Sequence, residues 1–307
     1  MAVAQQPPTA KDFLFSSYEN TMSVDLKRMR EREVWDELQA SALKMLFGMI
    51  EKESGFELDA VDRFTVATRM PKGSKDFVRD SLEVFVTEGN QPLALPPRVT
   101  GGIWEDREVG GKQVRYRERF DSGRIFYVPH PHVHVEGSLA VLQPILEKER
   151  HVGLPSADVM SMLSGREDRL AYMVGSMSHP NVRRQFGALL EEPEWPENDE
   201  PTFFGMQVLV RGDEDDPHLV VEVSLRHARA GDGLAISRQA AEARVAALAE
   251  DRRFLSLRKV MKGAQFETHG TDLVVRMDLG RVRNAVGQLA ALLMPLMMPG
   301  EPVRKGG

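Results

Sequence analysis

Cysteine is absent from this 307-residue chain. Its absence excludes disulfide bonds, thiolate nucleophiles, thiolate-ligated zinc and iron–sulfur clusters. Positive charge is also in short supply, because 40 lysine and arginine residues stand against 46 aspartate and glutamate residues, for a formal net charge of -6. Phosphate backbones are bound by basic surfaces, so this balance argues against nucleic acid as a partner.

Long hydrophobic runs are missing as well. The most apolar stretch, from Leu289 to Met298, is too short to span a bilayer and is interrupted by Pro295. The N-terminus, from Met1 to Lys11, lacks a charged region followed by an apolar run and so does not resemble a signal peptide. We therefore expect a soluble protein without a transmembrane segment, cytoplasmic unless its N-terminus was processed on export.

The rest of the composition is that of an ordinary globular protein, with 42% hydrophobic and 28% charged residues. A chain of this length forms one large domain or two of common size, and it has enough apolar residues for a core. Neither a metal nor a disulfide is needed to hold such a fold together.

Apolar periodicity and turn residues predict strands and helices along the whole chain. In the first half they predict strands at 21–26, 61–70, 81–88, 104–109, 113–120 and 125–136, and helices at 27–53 and 138–150. In the second half they predict strands at 170–176, 203–211, 218–227, 264–268 and 273–279, and helices at 181–192, 237–262 and 280–294. Gly55 is placed to end the first helix as a C-cap, and Ser237 to begin a later one as an N-cap.

Each half has the same order of elements: a strand, a helix, two strands, an insert, further strands and a helix. The predicted fold class is therefore α+β, with two pseudo-repeated halves, each an antiparallel sheet with helices packed on one face. The predicted boundaries are a disordered lead-in at 1–16, a first half at 17–167, a second half at 168–298 and a flexible tail at 299–307.

The N-terminal segment carries a family resemblance. A strand ending in Val24-Asp25-Leu26 enters a helix that contains Arg30 and Trp35, and residues 55–67 have the form Gly-x-x-x-Asp-x-Val-Asp-Arg followed by a hydrophobic strand. In this the chain resembles a loose group of uncharacterised bacterial proteins, which are often exported or lipid-anchored. The resemblance covers about the first seventy residues, implies an α+β fold and implies no catalytic residue.

The densest group of chemically useful side chains is the alternating row His130, His132, His134 and Glu136. In one extended strand these four would share a face, since side chains alternate with period two. Imidazoles bind divalent transition metals, so the row predicts a possible metal site. The alternative is the solvated face of a half-buried strand.

The Cα atoms of the first and third histidine would lie about 13 Å apart, and three histidines in such a row rarely all reach one ion. A metal site would use two of them with Glu136, or with a carboxylate from a neighbouring strand such as Glu118 or Asp121. No other cofactor is expected, because the chain has neither a phosphate loop nor a dinucleotide-binding glycine motif.

Nucleophile motifs are incomplete. Ser41 and Lys44 have Ser-x-x-Lys spacing without the accompanying motifs, and Ser138 lacks the Gly-x-Ser-x-Gly frame. The acidic run 213–216 lacks calcium-loop spacing and is typical of a charged hairpin tip.

The apolar stretch from Leu289 to Met298 must be covered by something, either the rest of the fold or a partner. We therefore predict a non-enzymatic binding or assembly protein with a protein partner or self-association, for which this stretch is the candidate surface. The alternative function is a metal-binding protein or metal-dependent enzyme that uses the histidine row.

Overall fold

The computed structural model describes residues 8–13, 20–32, 34–41, 44–69, 82–119, 122–147, 168–178, 183, 193–212 and 216–297. Three parts of the sequence prediction lie outside these residues. They are the tail at 299–307, most of the helix at 181–192 and the residues 148–167 that precede the predicted boundary at 168. Part of the predicted lead-in is described. There, Ala10–Phe13 form a 3₁₀ helix, because the Phe13 ring is buried and packs edge-on against Tyr127.

The described chain contains twelve β-strands and eight α-helices. The strands are β1 (Asn20–Asp25), β2 (Val61–Arg69), β3 (Leu82–Gly89), β4 (Glu105–Val109), β5 (Lys112–Arg119), β6 (Ser122–His130), β7 (Val133–Ser138), β8 (Arg169–Ser176), β9 (Pro201–Arg211), β10 (His218–His227), β11 (Gln265–His269) and β12 (Asp272–Arg281). The helices are α1 (Leu26–Glu31), α2 (Val34–Ala40), α3 (Lys44–Ser54), α4 (Pro97–Thr100), α5 (Leu139–Leu146), α6 (Asp232–Glu250), α7 (Arg258–Lys262) and α8 (Val282–Met297).

All twelve strands belong to one sheet in the order β11-β12-β10-β9-β8-β1-β2-β3-β7-β6-β5-β4, and each neighbouring pair is antiparallel. The predicted α+β class is thus confirmed, but the expectation of one sheet in each half is wrong. The halves share a continuous sheet because β1 pairs with β2 on one side and with β8 on the other.

Helices cover both faces of this sheet. On one face α1, α2 and α8 bury a large cluster that includes Phe126 of β6. On the other face α5 packs over a cluster that includes Ile125, also of β6, and Val135 of β7. The prediction of helices on one face is therefore wrong for the first half. Adjacent residues of β6 place apolar side chains on opposite faces of the sheet, so both faces must be buried against helices. Within the described residues, no helix is at once long and apolar enough to cross a membrane.

The long helices expected from the sequence are divided into shorter ones. The first becomes α1, α2 and α3, and α1 begins where the Asp25 carboxylate accepts a hydrogen bond from the Arg28 N–H at 2.9 Å. The second begins at Asp232 instead of Ser237, and it continues as a 3₁₀ helix at Arg252–Leu257 and then α7. Ser237 therefore lies inside α6 and is not its N-cap.

Gly55 ends α3 as predicted. Its φ is 73°, and its N–H donates to the Glu51 carbonyl at 2.7 Å. A Cβ at this position would lie 2.6 Å from the Pro96 Cβ. Gly48, in the middle of α3, is exposed and has no atom within 4 Å of an added Cβ.

These two glycines predict opposite effects of the same substitution. We expect Gly55→Ala to lower the free energy of unfolding by about 1–2 kcal/mol, because alanine resists a positive φ and meets Pro96. We expect Gly48→Ala to raise it by up to about 1 kcal/mol, since alanine favours a helix interior. Urea denaturation of both variants checks the pair, and equal signs would contradict the assigned C-cap.

Candidate functional site

The histidine row does not lie in one strand. β6 ends at His130, Pro131 and His132 form a turn, and β7 begins at Val133. The turn is held by another segment, because the carbonyls of Pro131 and His132 accept hydrogen bonds from the N–H groups of Leu93 and Gly89, both at 2.8 Å. The prediction of a continuous strand at 125–136 is therefore wrong. Proline has no N–H to offer a sheet, which favours the turn here.

His130 and His132 lie together at this turn, with ring centroids 5.4 Å apart. The His130 Nδ1 accepts a hydrogen bond from the backbone N–H of His132 at 3.2 Å, so its neutral ring carries the proton on Nε2. The His132 Nδ1 lies 3.1 Å from the Gly89 carbonyl and must donate to it, so its lone pair is on Nε2. In the neutral form of each ring, only His132 thus has Nε2 ready to ligate a metal.

His134 lies inside the protein on β7. Its side chain is 2% exposed, and its ring packs between Phe56 and Phe126 at centroid distances of 5.2 and 5.3 Å. Burial lowers the pKa of His134 to about 4, so the ring is neutral at neutral pH. Its Nδ1 has no hydrogen-bond partner among the described residues.

Glu136 shares the face of His134 and is surrounded by arginines. Its carboxylate accepts a hydrogen bond from the Arg124 Nε at 2.6 Å and a short one from the Arg98 guanidinium, and Arg117 approaches within 3.7 Å. Arg124 also contacts Glu83, at 3.3 Å. Burial alone would raise the pKa of Glu136, but the Arg98 and Arg124 contacts outweigh it and lower that pKa. Glu136 is therefore an ionised partner of arginine.

Trp104 completes this group. Its side chain is 6% exposed, the Arg117 guanidinium lies 4.6 Å from its ring centroid, and its ring meets Phe126 edge-on. In the part of the chain that the structure describes, the Trp104 Nε1 has no acceptor. The other two tryptophans have one each: Trp35 donates to Asp59 at 3.0 Å and Trp195 to the Ser237 hydroxyl at 2.8 Å.

We call the set Arg98, Trp104, Arg117, Arg124 and Glu136 the arginine–tryptophan cluster. Neighbouring strands β5, β6 and β7 supply three of its members, since Arg117 of β5 lies opposite Arg124 of β6 and Phe126 of β6 lies opposite Glu136 of β7. The α4 helix contributes Arg98, and the residue just before β4 is Trp104. Clustered guanidinium groups beside an indole N–H form a site suited to an anion.

The residues predicted to bind a metal are divided between two places. His134 and Glu136 are buried among aromatic rings and arginines, whereas His130 and His132 lie at the turn. Over the residues that the structure describes, no three histidine, aspartate or glutamate side chains are grouped so as to hold a metal ion. The metal site stays a prediction.

A second buried polar group links the loop before β9 to α6. The Ser237 hydroxyl lies 3.0 Å from the His227 Nε2, and the His227 Nδ1 lies 2.8 Å from the backbone carbonyl of Asp199. Serine and histidine are thus in contact as in a nucleophile pair, but Ser237 is 0% exposed and its oxygen also accepts from the Trp195 N–H. In this structure the group joins three segments and leaves no access for a substrate.

Removing the Ser237 hydroxyl tests that structural role. We expect Ser237→Ala to lower the free energy of unfolding by about 2 kcal/mol, because the Trp195 N–H and the His227 ring each lose a buried partner. Ser256→Ala, at an exposed position, serves as the control and should change stability by less than about 0.5 kcal/mol. Equal stability of the two variants in urea denaturation would contradict this role.

Comparison with known proteins assigns no family. No family model and no curated protein matches the sequence. Solved structures that resemble the chain include two crystal forms of TP0453, a protein of the bacterium Treponema pallidum. Form I has 13% identity, covers 95% of this chain and 99% of TP0453, and gives a TM-score of 0.45. Form III has 12% identity, covers 92% and 98%, and gives a TM-score of 0.47. At this level the similarity assigns no function to the chain.

Proposed function

We propose that this is a non-enzymatic binding protein whose ligand site is the arginine–tryptophan cluster. The observation that carries the proposal is the buried Trp104 Nε1, which has no acceptor among the described residues although the Arg117 guanidinium lies over its ring. Buried donors in folded proteins are nearly always paired, and an exception calls for a specific explanation such as a bound group.

A purely structural ion-pair network would account for the arginines around Glu136 but not for the unpaired indole. An unmade buried hydrogen bond costs about 1–3 kcal/mol. A ligand that brings an acceptor to the Trp104 Nε1 recovers that free energy on binding. The cluster is thus better suited to a bound state than to the free one.

The test is native mass spectrometry of the protein incubated with a cell extract of molecules under about 1 kDa. We expect the wild type to retain a discrete added mass that Arg117→Gln loses. Arg107→Gln, which removes a guanidinium from the exposed strand β4, is the matched control and should retain it. Wild-type protein without added mass, or the same species on Arg117→Gln, would contradict the proposal.

The alternative function is binding of a divalent transition metal through His130, His132, His134 and Glu136. It is supported by the His132 tautomer, which leaves the Nε2 lone pair available at the turn. Metal analysis of the wild type and of a His132→Ala/His134→Ala double variant tests it. Bound metal lost in the variant would support a metal site, and equally low metal in both proteins would refute it.

Assembly through the stretch from Leu289 to Met298 is a further proposal. Its first two residues, Leu289 and Ala290, are buried core residues of α8, which favours cover by the fold itself over cover by a partner. Light scattering over a concentration series checks self-association. A mass that stays at 34.5 kDa would contradict it.

We also propose that the chain consists of two structurally repeated halves. The order of strands supports this: β1-β2-β3-β7-β6 runs outwards from the centre of the sheet in one direction, and β8-β9-β10-β12-β11 runs in the other. In each half a helix follows the fourth of these strands in that order. The halves differ in that α5 and α8 cover opposite faces of the sheet.

A further inference from the structure

We infer that the ligand of the arginine–tryptophan cluster is a small organic carboxylate with an apolar, preferably aromatic, body. The inference rests on the proposed function and deepens it by naming the class of ligand. The carboxylate would accept a hydrogen bond from the Trp104 Nε1 and lie against the Arg117 guanidinium, which already contacts the same indole ring.

The sign of the charge follows from the ion pairs around Glu136, to which Arg117 connects Trp104. Three arginines and two glutamates form these ion pairs, namely Arg98, Arg117 and Arg124 with Glu83 and Glu136, so the five side chains carry a net charge of +1 at neutral pH. A cation would be repelled by this group. A single negative charge balances it, which favours a monoanionic carboxylate over a phosphate dianion.

The apolar body follows from the rings around the cluster. Phe126 contacts both Trp104 and His134, and Phe56 lies on the far side of His134. His134 is a neutral ring at neutral pH, so the aromatic rings that border this side of the cluster carry no charge. Aromatic surface favours an aromatic partner in offset or edge-on contact.

The cluster is closest to solvent on the side of α4. The side chains of Arg98 and Arg117 are 28% and 22% exposed, so both are in contact with solvent. Between α4 and Trp104 the exposed segment 101–103 contains two glycines, and Ile103 is 76% exposed. A ligand would approach Trp104 from this side, where segment 101–103 lies outside the sheet.

The N–H resonances of the three tryptophan indoles test the inference. In a ¹H–¹⁵N spectrum of the wild type, sodium benzoate should move one indole resonance downfield, and Trp104→Phe should remove that resonance. The indoles of Trp35 and Trp195 already have protein acceptors and should stay in place. Benzamidine, which has the same ring with a positive charge, is the control and should move none of the three.

Affinity gives a second readout. Trp104→Phe keeps an aromatic ring but removes the donor, and it should weaken benzoate binding by about 10- to 100-fold, as loss of a hydrogen bond to a charged group does. Failure of benzoate to move the Trp104 resonance overturns the carboxylate inference. If inorganic phosphate moves it instead, the class of ligand is wrong while the proposed site stands. If neither anion moves it and native mass spectrometry finds no ligand, the proposed function falls too.

Discussion

Glu136→Gln should lower the free energy of unfolding by about 3 kcal/mol. The glutamine cannot balance the charge of Arg98, Arg117 and Arg124, and breaking a buried ion pair by removing one partner costs about 3–5 kcal/mol. We expect the lower end of this range of costs because the side chains of Arg98 and Arg117 are partly exposed and hence partly solvated. Urea denaturation at neutral pH measures the effect.

Glu105→Gln is the matched control. Glu105 pairs with Arg107 on strand β4, where the two side chains are 68% and 47% exposed, and surface ion pairs contribute about 0–1 kcal/mol. We therefore expect the control to lie within about 1 kcal/mol of the wild type. A Glu136→Gln variant as stable as this control would show that Glu136 does not hold the arginines together.

Stability should also depend on pH through His134. The ring has a pKa of about 4 in the folded protein against 6.5 for the ordinary side chain, so between these values the unfolded chain takes up a proton that the folded protein does not. Stability is therefore full above about pH 6.5 and falls as the pH is lowered towards 4. One pKa unit corresponds to about 1.4 kcal/mol, so the loss from this group amounts to about 3 kcal/mol.

The variant His134→Leu isolates this contribution. Leucine suits the surroundings of Phe56 and Phe126 and cannot be protonated, so the difference in stability between pH 7 and pH 4 should shrink by about 3 kcal/mol relative to wild type. An identical pH profile for wild type and His134→Leu would mean that His134 is not buried as a neutral ring.

Much of the fold follows from local sequence patterns. The strands of the second half were predicted within about two residues, because alternating apolar residues bounded by turns are a local signal. Gly55 was predicted as a C-cap for a similar reason, since only glycine readily takes a positive φ at the end of a helix. Pairing of β1 with β8 could not be predicted in this way, because it joins residues far apart in the chain.

For the histidine row, the alternation of side chains in a strand predicted the wrong structure, because the row is not one strand. His134 and Glu136 do share one face of β7, as predicted, but the turn at Pro131 separates them from His130. That turn depends on hydrogen bonds to residues 89–93, which the alternation itself does not reveal. A proline within a strand pattern was the available signal.

The arginine–tryptophan cluster was not predicted at all. Its members come from α4, β5, β6, β7 and the residue before β4, and they meet only when the sheet forms. The one local signal was β5, where Arg115 and Arg117 alternate with other side chains and so share a face. Alternating arginines on one strand and a lone glutamate on a strand two places along the sheet indicate an ion-pair cluster, but not its unpaired indole.

A crystal structure of the protein grown with sodium benzoate tests the central claim most directly. The account predicts a benzoate whose carboxylate lies within hydrogen-bond distance of the Trp104 Nε1 and of the Arg117 guanidinium, with its ring against aromatic side chains. A structure without benzoate there, in which the Trp104 Nε1 donates to a group of the protein itself, would contradict it.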